Sequence, residues 1–356
     1  MARPLDFIFL TMKKYNVGMI GYGWAAGAHI DAINATSSGQ VTAVYSSRTL
    51  DEGELSAKHG RPMKAYSRLE DMLADPSIHA VDISSYPSQH KEQALAAAKA
   101  GKHLILEKPM AMSLADCREI VKAAEDAKVR GCVCFECRFS GQFTSTKALV
   151  DEGLLGELHY GEIDYYHGIG PWYGQFRWNI FKKDGGSALL TAGCHALDAL
   201  LMFMGSDVEA VSSFSTKSKS EIFAPYEYDT SSVTILHFKG GRIGKCAAIV
   251  DCLQPYYFHT HLVGSQGSLL DNKFHSSKLQ TDKHGWSNLN MKMLDSGDVS
   301  DHPYQTQFQA FFDALDEGKD MPLTSLAESL KSFEVLFAAD KSAAEGGRLV
   351  KLSELA

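Results

Sequence analysis

The stretch Asn16-Val17-Gly18-Met19-Ile20-Gly21-Tyr22-Gly23-Trp24-Ala25-Ala26-Gly27-Ala28-His29 decides the fold. An apolar run over 17–20 ends in Gly21-x-Gly23-x-x-Ala26, and a helix is predicted over 27–35. Gly21 permits the tight turn out of a strand, and Gly23 lets the backbone approach a pyrophosphate closely. Ala26 is small enough for helix and strand to pack, and the first N–H groups of the helix face the anion. The spacing alone also fits a plain glycine-rich turn. The context favours the anion site: a strand before, a helix after, and a second β-branched strand at 41–45.

That second strand ends in Ser46-Ser47-Arg48. In a dinucleotide-binding unit this strand end meets the adenosine ribose. An acidic residue there holds a free 2′-OH, whereas a hydroxyl with an Arg accommodates a 2′-phosphate. No acidic residue precedes Asp51, so the charge pattern favours NADP(H); a slip that brings Asp51 into place would favour NAD(H). Further along, a helix at 68–74 stops at Asp75-Pro76, and a strand at 80–84 leads into Ser85-Tyr86-Pro87. An Ala-rich helix at 90–100 is capped by Gly101, a strand at 103–106 runs into Glu107-Lys108-Pro109, and Ser113-x-x-Asp116 opens another helix. Strands alternating with helices imply a parallel sheet covered on both faces.

After residue 136 the rhythm changes. Long alternating stretches at 158–167, 208–216, 231–238, 242–251 and 257–263, with a hairpin turn at Lys239-Gly240-Gly241, predict a mostly antiparallel sheet and a second, α+β domain. Helices are predicted at 187–204, 305–316 and 324–344.

A chain of 356 residues suggests about two domains. Its net charge of −8 implies no broad basic surface and argues against a nucleic-acid partner. No apolar run in the sequence approaches the roughly 18 to 20 residues of a membrane span, so no membrane partner is expected. Residues 1–11 lack a signal peptide's apolar core and cleavage site, Met12 resembles a natural start, and the extension is expected to add nothing to the fold. Seven Cys, an odd number spread through apolar segments, suit reduced thiols in a cytoplasm. Cys132-x-Cys134-x-x-Cys137 lacks a fourth zinc ligand and reads as a buried strand. His259-x-His261 share one strand face without an identified further ligand, so no metal is expected.

Two residues carry candidate chemistry. Lys108 sits at the carboxyl end of a parallel strand, where such sheets bind ligands, and can bond a reacting oxygen or lose its charge on desolvation. His195, in the segment Gly185 to Asp198, is four residues after Thr191 on one predicted helix face. A neutral imidazole there can take a proton from an alcohol, with Asp198 placed to orient it; a core histidine bonded to a carbonyl is the plainer alternative. Tyr165, Tyr166, His167, Trp172, Tyr173, Arg177 and Trp178 offer flat faces and hydrogen bonds to a sugar, and Trp172, Arg177 and Trp178 are the first choices among them.

With these residues in view, the chain resembles the glucose–fructose oxidoreductase/inositol dehydrogenase (Gfo/Idh/MocA) family. The likeness rests on Gly21 to His29, Ser85 to His90, Ala100 to Pro109, Arg138-Phe139, Asp151 to Leu158 and Gly185 to Asp198. It implies a Rossmann domain over 12–136 and a substrate-binding, oligomer-forming domain over 137–356 with an open, mostly antiparallel sheet. It implies NADP, or NAD, held by Gly21, Tyr22, Gly23, Trp24, Ala25, Ala26, Ser46, Ser47, Arg48, Ser84, Ser85, Pro87, His90, Glu107, Lys108 and Arg138. Catalysis falls to Lys108 and to His195 as acid/base. A sugar or cyclic polyol would meet Trp172, Arg177, Trp178, Thr191 and His195, and the protein would form a homo-oligomer through its second sheet. Three positions depart from the family's pattern: Thr191 stands where Asp is common, Ser85-Tyr86-Pro87 where Thr-Pro-Asn is usual, and Glu136 where an Asn often precedes the Arg. A dehydrogenase acting on CH–OH groups is the first expectation. A redox-neutral NAD-dependent glycosidase and a non-catalytic dinucleotide-binding sensor are the alternatives.

Overall fold

The computed structural model describes residues 15–279, 284–294 and 302–355; the extension at 1–11 lies outside the described residues. Six strands form a parallel sheet: β1 (Tyr15–Ile20), β2 (Gly39–Tyr45), β3 (Lys64–Tyr66), β4 (Ala80–Ile83), β5 (His103–Leu106) and β6 (Gly131–Val133). Helices α1 (Trp24–Ala35), α2 (Glu52–His59), α3 (Leu69–Ala74), α4 (His90–Lys99) and α5 (Leu114–Asp126) make the crossovers. The strand order is β3-β2-β1-β4-β5-β6. Val17, Met19, Ile20, Val81, Ile83, Leu104 and Ile105 are wholly buried, as strands covered on both faces require. The order reverses between β1 and β4, which opens a crevice at their carboxyl ends.

Helix α1 begins at Trp24, three residues before the predicted start, with Gly23 as its N-cap and no side chain capping it. The turn out of β1 is therefore only Gly21-Tyr22-Gly23, and the free N–H groups of the first helical turn stand at the crevice.

The second half contains α6 (Gly141–Asp151), β7 (Leu158–Tyr166), α7 (Phe176–Asn179), α8 (Lys182–Gly185), α9 (Cys194–Met204), β8 (Val208–Thr216), β9 (Ser231–Phe238), β10 (Ile243–Ile249), β11 (Tyr257–Gly264), β12 (Gly267–Leu270), β13 (Lys273–Ser276), β14 (Ser287–Asn288), α10 (Tyr304–Asp316), α11 (Leu326–Ala344) and β15 (Val350–Lys351). Its sheet runs β14-β13-β12-β11-β7-β10-β9-β8-β15. The pairing is antiparallel except between β7 and β10, which run parallel. A parallel neighbour needs a long crossover, and here α9 with the β8–β9 meander supplies it; no local turn signal announces such a pair.

The predicted helix over 187–204 is not regular. Leu189–Gly193 forms a π-helical turn that runs into α9. The wide turn lies flat on β10: a Cβ added at Gly193 would come within 2.3 Å of the Ala248 Cβ. The stretch Lys182–Met204 is long and apolar enough to cross a membrane by composition, yet 89% of its most apolar window is buried inside the protein. It is a core element, packed on β7 and β10.

Helix α10 returns to the first sheet. Phe312 stacks on Tyr15 with ring centroids 5.5 Å apart, and lies where any side chain at Gly39 would have to go. The core around α1 and β1 thus includes Tyr304, Phe308, Phe311 and Phe312 from the far end of the chain. This return carries His302 and Tyr304 to the edge of the crevice.

Candidate active site

The crevice passes between the two halves of the molecule. One end is lined by Tyr45, Ser46, Ser47 and Arg48; the middle by Gly21, Tyr22, Gly23, Trp24, Ala25, Ser84, Ser85 and Pro87; the other end by Glu107, Lys108, Gln175, Arg177, Trp178 and Thr191. The turn suits a pyrophosphate on geometric grounds. Gly21 has φ +95°, and a Cβ there would strike the Ser84 carbonyl at 2.8 Å. A Cβ at Gly23 would meet nothing within 4 Å, so the open space there faces backbone alone. Arg48 donates from Nη2 to the Tyr22 carbonyl at 2.5 Å, which brings its guanidinium over the turn beside Ser46. Asp51 is occupied elsewhere: its carboxylate caps α2 by accepting the Glu54 N–H at 2.8 Å.

The crevice opens inward to a small chamber lined by Trp24, Lys108, Glu136, Tyr165, His167, Tyr173, Thr191, His195, Tyr256, His302 and Tyr304, among others. Lys108 and His195 both line it. The Lys108 Nζ donates to the Thr191 carbonyl at 3.3 Å, where the π-helical turn presents that oxygen. Burial lowers the Lys108 pKa, but Cys194, Glu107 and Glu136 outweigh it and the net direction is upward. Burial pushes the Cys194 thiol up to about 12, so it is neutral near pH 7, and the carboxylates keep Lys108 an ammonium. The expected option of a discharged lysine is therefore corrected. Burial takes His195 down to about 4, against the pull of Glu136 and with the push of Lys108 and His302, so its imidazole is neutral and able to accept a proton. Its Nδ1 has no hydrogen-bond partner among the described residues.

Beneath Lys108 lies a fully buried charge relay. His29 meets Asp82 through Nδ1 at 2.8 Å and Glu107 through Nε2 at 3.1 Å. Burial opposes its charge, yet Asp82 and Glu107 raise its pKa to about 10, so both nitrogens donate. Glu107 also accepts the Lys108 backbone N–H at 2.8 Å and the Tyr304 hydroxyl at 3.2 Å. Helix α1, strands β4 and β5 and helix α10 are thereby fixed around one carboxylate.

Several expected site residues stand elsewhere. Arg138 does not reach the crevice: its guanidinium is buried against Asp198, with Nε–Oδ2 2.6 Å and Nη2–Oδ1 2.7 Å, and donates to the Leu323 carbonyl. Asp198 is consumed by that pair and by the Ser332 hydroxyl, so it does not orient His195. His90 is wholly buried, 2.8 Å from the Pro109 carbonyl and 3.3 Å from the Ser85 carbonyl. It ties together the two loops that line the crevice without lining it. Ala26 is buried between α1 and the sheet as a packing residue. Trp172 is 61% exposed and donates to the Gly168 carbonyl, away from both spaces. Arg177 and Trp178 line the crevice, Trp178 beside Tyr86, rather than the inner chamber. Tyr166 points to the opposite sheet face, stacked on Tyr257.

The chamber's own polar residues are Tyr165, His167, Tyr173, Tyr256, Glu136, His302 and Tyr304. Period-two alternation along β7 would have selected Tyr165 and His167 over Tyr166. Glu136 stands out only as a departure from the family's pattern and nothing local marks His302; the two meet at 2.7 Å across 166 residues of chain. On the outer sheet face, Glu162 joins His259 and His261, the further ligand that spacing alone did not supply. The Lys245 ammonium already sits 2.6 Å from Glu162 and from Asp164, in the place a cation would take.

The family profile described as "Oxidoreductase family, NAD-binding Rossmann fold" (GFO/IDH/MocA) matches residues 15–135, and that of the GFO/IDH/MocA C-terminal domain matches 143–270. An uncharacterized oxidoreductase of Synechocystis is 33% identical over 53% of this chain and 51% of its own length, so the match spans about half of that relative. The myo-inositol 2-dehydrogenase of Thermotoga maritima is 28% identical over 76% of this chain and 79% of its own. Among solved structures, a levoglucosan dehydrogenase in complex with NADH and levoglucosan superposes with a TM-score of 0.82 at 22% identity, covering 95% of this chain and 99% of that one. At that identity the likeness speaks for the fold.

Proposed function

Because the chain belongs to the GFO/IDH/MocA family of oxidoreductases, we propose that it is an NADP(H)-preferring dehydrogenase. It would oxidise a secondary alcohol of a cyclic polyol or sugar, or reduce the matching ketone, in the chamber between its two sheets. One observation carries the reading: a half-buried ammonium, Lys108, and a buried neutral imidazole, His195, line one small polar chamber that continues into a dinucleotide-shaped crevice. A bound nicotinamide would supply the hydride acceptor for the carbinol carbon, held by the residues that line the crevice. Lys108 donates a hydrogen bond to the carbinol oxygen and steadies the negative charge that grows there, and His195 accepts the hydroxyl proton. Tyr165, His167, Tyr173 and Tyr256 supply ring faces and hydrogen-bonding groups for a polyhydroxylated ring. The named inositol dehydrogenase among the relatives points to the same substrate class.

The preference for NADP(H) rests on Arg48 and Ser46 at the end of β2 and on the engagement of Asp51 as a helix cap. Seven free cysteines, six of them buried, suit the reducing cytoplasm. Tyr257, His259 and His261 lie on the sheet face away from the core, and a second copy is expected to dock there. The test is identification of the co-purified nucleotide by mass, followed by a panel of cyclitols and sugars read by reduced-nicotinamide absorbance. Turnover of a cyclic polyol or sugar with NADP⁺ supports the proposal. Glycoside cleavage without net absorbance change would favour the redox-neutral alternative, and tight binding without any turnover the sensor.

A further inference from the structure

His195 needs a counter-charge when it takes a proton, and the residue one helical turn before it, Thr191, has only a neutral hydroxyl. The buried carboxylate nearest to it comes from another element. Glu136 is completely buried in the short 3₁₀ segment after β6. Its Oε1 is 3.9 Å from His195 Nε2 and 2.7 Å from His302 Nδ1, and its Oε2 has no hydrogen-bond partner among the described residues. At 3.9 Å the contact with His195 is longer than a hydrogen bond and acts as charge on charge. The other imidazole nitrogen, Nδ1, is shut off from the chamber and has no hydrogen-bond partner among the described residues.

We propose that Glu136 is the positioning residue for His195: its carboxylate, 3.9 Å from Nε2, is the counter-charge that holds the ring in place and balances the imidazolium formed when the ring takes the substrate proton. The inference rests on the dehydrogenase reading given above, but its first test does not. In the step itself the carbinol O–H bond breaks as its proton passes to His195, while the hydride leaves the same carbon for the nicotinamide. Glu136 gains no proton.

The charged or basic groups facing Glu136 are His195 from α9, His302 ahead of α10, and Lys108 from the end of β5, with the Glu107 carboxylate opposing them. Cys134, Cys137, Tyr165, Tyr256 and Tyr304 also face it, and all are pushed upward by burial and stay neutral. Burial favours a neutral carboxyl, but His195, His302 and Lys108 together hold Glu136 down at about 2, so it is an anion at any working pH. An anion at this distance moves an imidazole's protonation midpoint up by about 1 to 3 pH units.

NMR of isotope-labelled histidine in the full chain without added nucleotide, with His195 assigned through His195→Asn, reads this directly. The expected result is a His195 protonation midpoint lowered by about 1 pH unit or more in Glu136→Gln. His302→Asn removes a competing positive neighbour and should move the midpoint upward. An unchanged midpoint in Glu136→Gln overturns the proposal. Should that variant not fold, Glu136→Asp, which keeps the charge but draws it back, is expected to lower the midpoint below the parent's; no change there, or no rise in His302→Asn, overturns the proposal as well. With a substrate in hand, Glu136→Gln should lower kcat about 10-fold or more with KM little changed. If no substrate turns over, the dehydrogenase reading fails while the NMR result still decides the role of Glu136.

Discussion

In the proposed reaction Lys108 acts as a charge. Held as an ammonium by Glu107 and Glu136, it can donate to an oxygen whose negative charge is growing, and Met in its place would fill the volume without donating. Lys108→Met and His195→Asn should each lower kcat/KM roughly 100-fold or more, as loss of a positioned acid–base group does, with NADP⁺ binding retained in a fluorescence titration. Near-parental rates in both would move the chemistry elsewhere. Arg48 carries the second prediction at this scale. A charge-assisted hydrogen bond is worth about 1.5 to 3 kcal/mol, so Arg48→Ala should weaken NADP⁺ about 10- to 100-fold by calorimetry and NAD⁺ far less. Equal losses would contradict the 2′-phosphate assignment. Lys108 and Arg48 were legible from position alone, because each ends a parallel strand at the edge where such sheets bind ligands. Glu136 and His302 were not, because only the return of α10 brings them together. Arg138 misled because an Arg near a cofactor motif looks available until its buried partner, Asp198, is seen.

Among the elements, α1 is fixed by more than its glycine turn. His29 projects from its buried face into the two carboxylates of β4 and β5, and removing that cation would leave both uncompensated. His29→Leu should destabilise the fold by about 3 to 5 kcal/mol in a denaturant titration; a loss below 1 kcal/mol, on the order of a surface change, would show the relay to be inert. The sign of the pH dependence follows. The His29 pKa is raised from 6.5 to about 10 in the folded state, so its stabilisation is complete below pH 6.5 and is lost as pH rises through 10. The parent's advantage over His29→Gln should therefore shrink across that interval. Periodicity revealed these elements well: β8 and β9 have the expected limits, and most helix ends differ by a few residues. The π-helical turn at 189–193 escaped because an apolar run wound at either pitch has the same composition. The parallel β7–β10 pair escaped because its crossover is built from distant segments.

The whole molecule is two sheets with a crevice between them, closed at one corner by a helix from the end of the chain. Lys108 comes from the first sheet, His195 from the helix on the second, and Tyr304 from α10 packed back on the first. The central claim is that Lys108 and His195 address one nicotinamide ring. A crystal structure of the protein soaked with NADP⁺ tests it. The account predicts the ring at the inner end of the crevice, with Lys108 at its edge, and space beyond for a carbinol carbon about 3 to 3.5 Å from the ring within reach of His195. A ring bound outside the crevice, or one from which His195 is walled off by protein, would contradict it.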